Sequence, residues 1–485
     1  MSNPRGPRVA IIGAGMSGLL ASIRLREAGI ADVTIHEKAD RPGGTWRDNT
    51  YPGLSCDVPS HVYTYSFAPN PDWSRRFSPG AEIQAYFEGI ADRYGLRSLT
   101  RFASEIAELR WEGARWHLRA TDGHSEVADY VIAATGVLHR PVMPDIPGLE
   151  RFAGAAFHSA RWNHAVPLDG RRVGIVGTGS TAIQIVPALV DRVRHLSLFQ
   201  RTAQWVLPIV NDPYSDEEKA GWRADPARHR AMRDWLAARL IDTFARAVVG
   251  EDASGLAEIE RMCREHLETV VRDPGLRERL RPNYRAACKR LVMSDSFYEA
   301  IQKPNAELVT DPIREVELAG VRTADGTLHE LDVLVLATGF DGHNFLRPMR
   351  VAGEGGRTLD EAWSAGNRAY RSVVVPGFPN LFMPVGPNSP IGNFSVIEIS
   401  EMQTDYILRL IATAEAAPRR RIAPTERATA TFNAAMAARM SGTVWASGCR
   451  SWYLDRHGRP ALWPWSYERF KADMARPDLA DFEVG

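Results

Sequence analysis

Two glycine-rich turns of one design occur in this chain, each between an apolar run and a helical pattern. The first is Gly13-x-Gly15-x-x-Gly18 after Val9-Ala-Ile-Ile12, and the second is Gly177-x-Gly179-x-x-Ala182 after Val173-Gly-Ile-Val176. A strand that turns through glycine into a helix brings free N–H groups and the positive end of a helix dipole up to a phosphate. One such turn is weak evidence, whereas two in strand-turn-helix context imply two nucleotides on one polypeptide. The expected fold class is therefore α/β, with two Rossmann-like dinucleotide-binding domains.

A second echo supports that reading. Asp129-Tyr-Val-Ile-Ala-Ala134 runs into Thr135-Gly136, and Asp332-Val-Leu-Val-Leu-Ala337 runs into Thr338-Gly339. Each is a β-branched run stopped by glycine, where backbone has to pass close to something. The Pro-rich Arg140–Gly148 reads as a linker. From about Ser215 to Val271 the pattern is helical, with Met232, Leu236, Leu240, Phe244 and Val248 at every fourth position. A further helix is expected from about Ser395 to Glu415, packing back on the first unit. The expected division is 1–148 for the first domain, 149–345 for the second with a helical insertion over about 211–295, and 346–485 for the remainder of the first domain.

Bulk properties narrow the partners. The chain of 485 residues can bury two or three cores, and its 59 basic and 59 acidic side chains leave no field of the kind that drives nucleic-acid binding. No apolar stretch approaches a membrane span, and Met1–Pro7 carries no apolar leader, so a soluble, cytoplasmic protein is expected. The four cysteines, Cys56, Cys263, Cys288 and Cys449, contain no C-x-x-C pair. They read as buried free thiols, with no metal site.

The residues beyond each turn distinguish the two nucleotides. Glu37 closes the strand after the first helix, where an acid accepts ribose hydroxyls and repels a 2′-phosphate, which suits FAD or NAD rather than NADP. At the matching place in the second unit stand Arg201 and Thr202. A guanidinium there suits the 2′-phosphate of NADPH. The cofactor contacts expected from the turns are Gly13, Gly15, Ser17 and Gly18 in the first and Thr178, Gly179, Ser180 and Thr181 in the second.

Between these units lies Gly43-Gly44-x-Trp46-x4-Tyr51-Pro52-Gly53-x3-Asp57, followed later by Phe152-x-Gly154-x3-His158-x3-Trp162-Asn163. On these two segments the chain resembles the type I Baeyer-Villiger monooxygenases, a branch of the class B flavoprotein monooxygenases, from about Val9 to Trp465. The first signature is filled at every position. The second departs at Asn163, where the family has Pro or Asp; Trp162 still favours this branch over the N- and S-oxygenating monooxygenases, which carry Tyr or Phe. The resemblance implies FAD contacts at Glu37, Gly44, Thr45, Trp46, Asp57, Tyr63 and Ile106. It makes Cys288-Lys289-Arg290 the segment bearing an active-site arginine, with Asp57 fixing Arg290, and it makes Trp452 the residue of a mobile loop that closes over the nicotinamide.

The implied activity is NADPH- and O2-dependent insertion of oxygen beside a ketone carbonyl through a C4a-peroxyflavin, giving an ester or lactone. A fixed guanidinium at Arg290 serves that chemistry because it stays charged at any working pH. The expected partners are a small ketone and O2, in a monomer or small homo-oligomer. Pocket walls are expected from the loops Gln204–Pro208, Pro387–Phe394 and Trp445–Trp452, with Phe394, Trp445 and Pro390-Ile391 making them apolar. His158 reads as a structural or domain-coupling residue of the linker rather than a general base. Rival readings are N- or S-oxygenation, a thioredoxin-reductase-like enzyme, against which the missing C-x-x-C counts, and a sensor that binds both nucleotides and turns over neither.

Overall fold

The computed structural model describes residues 6–485. The expectation of a leaderless N-terminus lies, over Met1–Arg5, outside them. Two five-stranded parallel sheets organise the chain. In the first the spatial order is Leu381–Phe382, Tyr130–Ala133, Val9–Ile12, Val33–His36, Thr100–Arg101, and in the second it is Ala306–Val309, His195–Phe199, Arg172–Val176, Val333–Leu336, Ala155–His158. Val9–Ile12, Tyr130–Ala133 and Val333–Leu336 are buried at every residue, which is why they read as unbroken apolar runs rather than alternating ones. In each sheet the strand feeding a glycine turn is central, so each turn opens at the point where strand order reverses and a crevice forms.

The two sequence echoes meet in space. A Cβ on Gly13 would lie 2.6 Å from the Ala134 carbonyl oxygen, and one on Gly177 would lie 2.5 Å from that of Ala337. Each fingerprint's first glycine thus abuts the end of the neighbouring Ala-Thr-Gly strand, and both glycines hold positive φ angles, 103° and 112°.

The helical insertion comprises Asp216–Ala224, Pro226–Leu240, Ala253–Val270 and Pro274–Arg279. Caps set its starts: Ser215 and Glu218 form a reciprocal capping box, and Asp225 accepts from the N–H groups of Ala227 and Arg228 ahead of Pro226. The regular four-residue spacing read from Met232 to Val248 is interrupted by a π-turn at Ile241–Ala245, which shifts the phase by one residue. Only Leu236 and Val248 of that series are fully buried. Leu236 packs in the core of the first unit, whereas Leu267, Val271, Leu276 and Leu280 pack in that of the second. The insertion therefore spans both cores.

The helix Val396–Glu415 lies against Met16–Glu27, with the Ser17 and Ser400 hydroxyls 2.9 Å apart. No helix of the described residues is long and apolar enough to cross a membrane. Two sequence expectations need correction. His158 is not in a linker but ends the edge strand Ala155–His158, where its Nδ1 accepts from the Ala160 N–H at 3.0 Å. Cys288 and Cys449 are not free thiols: they form a disulfide across 161 residues of sequence, leaving Cys56 and Cys263 reduced and buried. Local spacing could not reveal the bond, because it depends on the C-terminal segment returning over the exit of the insertion.

The Tyr51-Pro52-Gly53 segment is the joint between the two units. The Tyr51 hydroxyl donates to Gln184 Oε1 at 2.9 Å, and Gln184 Nε2 donates to the Ser55 carbonyl at 3.0 Å. Gly53 holds φ at 81°, and a Cβ there would meet the Gln184 carbonyl oxygen at 2.3 Å. Gly53→Ala is expected to lower stability by about 2 kcal/mol or more through combined strain and overlap. Thermal melting checks this, and an unchanged transition would show that the joint has slack.

Candidate active site

A single cavity of about 1310 Å³ runs between the units and is lined by both glycine turns. On its first side, the helix Met16–Glu27 begins at Gly15 with no side-chain cap, leaving its first N–H groups for a ligand. On its second side, Ser180–Leu189 begins at Gly179 in the same way, and a Cβ on Gly179 would meet nothing within 4 Å. These open cradles fit two pyrophosphates. Gly18 differs from the other turn residues: it does not line the cavity, and a Cβ there would sit 1.9 Å from the Gly13 carbonyl oxygen. It is a packing glycine, held between helix and turn.

Gly13, Gly15, Ser17, Glu37, Gly44, Thr45, Trp46, Tyr63 and Ile106 line the first side. Glu37 is nearly fully buried and highly organised. Its Oε2 accepts from the Ala14 N–H at 2.8 Å, its Oε1 from the Ala39 N–H at 3.0 Å, and Arg47 lies 2.9 Å away. Arg47 was missed by sequence reasoning, although it stands next to Trp46 in the signature. Burial pulls its guanidinium pKa down, but Asp48 and Glu37 carry it above the usual value. Trp46 donates through Nε1 to the Tyr63 hydroxyl at 3.1 Å and meets that ring edge-on. Burial pushes the Tyr63 phenol well up, so it remains protonated.

Thr178, Gly179, Ser180, Thr181, Arg201, Thr202 and Lys289 line the second side. The Thr178 hydroxyl donates to the Thr202 carbonyl at 2.8 Å, tying the glycine turn to the loop that carries Arg201. The Lys289 ammonium sits 4.5 Å above the Tyr284 ring. Burial first, and then the like charge of Arg201, lowers the Lys289 pKa. Two like charges therefore face the same part of the cavity.

Arg290 lies between the two sides. Its Nε and Nη2 both donate to Asp57 Oδ2, at 2.9 and 2.7 Å, and its Nη1 donates to the Ile391 carbonyl at 3.3 Å. The side chains are 30% and 26% exposed, toward the cavity that both line. The buried Tyr453 phenol lies beside the same guanidinium. Burial pulls the Arg290 pKa down, but the charge of Asp57 and then the contact with Tyr453 raise it, leaving the group permanently cationic. Tyr453 stands beside Trp452 in sequence, yet nothing in a sequence says which way it turns.

Trp452 also lines the cavity. Its carbonyl accepts from His343 Nε2 at 2.8 Å, and its ring lies 4.6 Å from that of Tyr453. Gln204, Ile391 and Phe394 reach the cavity, but Pro390 and Trp445 do not. Trp445 is 2% exposed, packed with Val248, Cys288 and Cys449 behind the wall. His61 does not line it either: it pairs with His229 at 2.8 Å, and burial followed by His229 pushes its pKa down to about 3. Asn163, the departure in the second signature, accepts from the Ala165 N–H at 3.1 Å, a turn an Asp would make equally well.

The family model for flavin-binding monooxygenase-like proteins matches residues 6–242. An uncharacterized monooxygenase of Mycobacterium tuberculosis is 48% identical over 99% of this chain and 96% of its own length. A Baeyer-Villiger monooxygenase of Streptomyces coelicolor is 42% identical over 98% of this chain and 92% of its own. Among solved structures, a steroid monooxygenase bound to NADP superposes with a TM-score of 0.88 at 31% identity, each chain covered to 99%. With the fold and full length shared, the chain belongs to the Baeyer-Villiger branch of the FAD- and NADPH-dependent flavin-binding monooxygenases.

Proposed function

We propose that this chain uses NADPH and O2 to insert oxygen beside the carbonyl of a small, largely apolar ketone, releasing an ester or lactone. The observation that carries this reading is the Asp57-fixed Arg290 guanidinium on the wall of one cavity that both nucleotide turns share. Bound FAD supplies the oxygen-activating chemistry and NADPH the hydride that drives it. The division into 1–148, 149–345 and 346–485 accompanies the proposal, each nucleotide being held by one unit.

The side chains have separate tasks in this scheme. Glu37, oriented by Arg47 and two backbone N–H groups, holds the ribose of FAD. Gly44, Thr45, Trp46, Tyr63 and Ile106 wall its ring system, and the first turn takes its pyrophosphate. Arg201 and Lys289 take the 2′-phosphate of NADPH, with Thr178 to Thr181 around its pyrophosphate. Arg290 stabilises negative charge that develops on oxygen as the carbonyl is attacked, and Asp57 keeps the guanidinium aimed rather than moving a proton. Trp452 covers the nicotinamide side and excludes water.

The direct test supplies purified holoenzyme with NADPH, O2 and a panel of cyclic and aryl ketones, following lactone or ester by mass spectrometry. Ketone-dependent product is expected. Oxidation of sulfides or amines alone would overturn the ketone reading. In Arg290→Ala, product formation is expected to fall by about 100-fold or more, while NADPH still reduces the flavin under anaerobic conditions. Arg201→Ala is expected to weaken NADP+ about tenfold or more, the scale of a charged hydrogen bond, with NAD+ binding unmoved; titration calorimetry reads both.

Lys289 gives a pH signature. Its ammonium is the binding form, and its pKa lies below the ordinary 10.5, so rising pH removes the charge earlier than for a free lysine. NADP+ affinity is expected to decline with rising pH before that range is reached, and Lys289→Met should flatten the decline.

A further inference from the structure

The Cys288–Cys449 disulfide joins the two segments that carry the reactive end of the cavity. Cys288 immediately precedes Lys289 and Arg290, and Cys449 lies just upstream of Trp452 and Tyr453. The bond sits in a small apolar cluster with Val248, Val249, Leu256, Trp445 and Tyr453, packed between the insertion and the C-terminal segment. Its halves differ in access. Cys288 is 1% exposed, whereas Cys449 is 9% exposed and lies between Gly448 and Arg450, both open to solvent. The loop is also held by this apolar packing, by the approach of Tyr453 to Arg290 and by the bond from His343 to the Trp452 carbonyl.

We infer that this pair is a thiol–disulfide exchange site whose redox state sets how firmly the loop bearing Trp452 is held over the cavity. The reactant is a dithiol. Its thiolate attacks Cys449 Sγ from the solvent side, breaking the S–S bond and forming a mixed disulfide, while Cys288 leaves as a thiolate beside the cationic Lys289-Arg290 segment. The second thiol of the reactant then attacks its own sulfur in the mixed disulfide and releases Cys449. Two electrons and two protons pass to the protein, and the reactant ends as a disulfide. With the tether cut, the loop opens more often, water enters, and reducing equivalents from NADPH leave as hydrogen peroxide instead of reaching the ketone. Disulfides in reducing compartments are commonly of this exchangeable kind. The kinetic consequence rests on the monooxygenase reading; the exchange and the opening of the loop do not.

The test uses full-length holoenzyme purified without thiol reductants. Alkylation under denaturing conditions should label two cysteines, Cys56 and Cys263, and should label all four once the native protein has been treated with dithiothreitol. Reduction should speed tryptic cleavage at the exposed Arg450 and Arg456 several-fold and raise peroxide released per NADPH several-fold. Cys449→Ser should show both effects without dithiothreitol. Four labelled cysteines at the outset, a bond that resists dithiothreitol until the protein is unfolded, or full reduction with unchanged proteolysis would each overturn the inference. Faster proteolysis in a protein that never oxidises NADPH would support the exchange site and sink the monooxygenase reading alone.

Discussion

The paired hydrogen bonds from Arg290 to a single oxygen of Asp57 are the interaction on which this architecture turns. A charge pair away from bulk water repays its desolvation only when its geometry is held, so each partner needs a rigid base. Asp57 has one in the signature loop, docked on the second unit through Tyr51, Gly53 and Gln184. Arg290 has one at the exit of the insertion, donating to the Ile391 carbonyl and lying beside Tyr453 of the returning C-terminal segment. Four stretches far apart in sequence thus meet at one guanidinium. None of them could shift alone without leaving a charge poorly paired.

Charge is sorted along the cavity by whether a partner is built in. Glu37 is satisfied by Arg47 and two backbone N–H groups, so this acid is fixed and oriented by the fold itself. Arg290 has Asp57. Next to Arg290 in the chain, Lys289 has as its charged neighbour Arg201, of the same sign. Two cations left facing each other would favour an anion between them. Cationic side chains are thus neutralised at Arg290 by Asp57 and left facing a like charge at Lys289 and Arg201.

Much of this was legible in the sequence, for physical reasons that also mark where reading stopped. Glycine turns, buried parallel strands and the closing acid are local patterns, and Gly13, Gly177 and Glu37 could be placed from neighbours alone. The repeated Ala-Thr-Gly could be seen as an echo, though its cause, the close approach of Gly13 to Ala134 and of Gly177 to Ala337, needed coordinates. Gly18 looked like a phosphate contact because the motif is read as a unit, but its position is filled by the Gly13 carbonyl. The Cys288–Cys449 bond, the turn of Tyr453 toward Arg290 and the burial of Trp445 behind the wall all depend on the path of the C-terminal segment. No local periodicity encodes that path.

That path also limits how the molecule can move. If the units were joined only by the irregular Arg140–Gly148 stretch, they would rotate freely, and the cavity between them would have no defined width. The insertion prevents this by placing Leu236 in one core and Leu267 in the other, so that a large rotation would expose apolar surface costing about 25 cal/mol for each Å². Ser451 and Trp452 are only half-buried, between Cys449 and Tyr453, which are buried in the cluster around the disulfide. A cradle whose width is fixed by both cores suits oxygen chemistry in a dry site, because water must not remain beside the reacting groups.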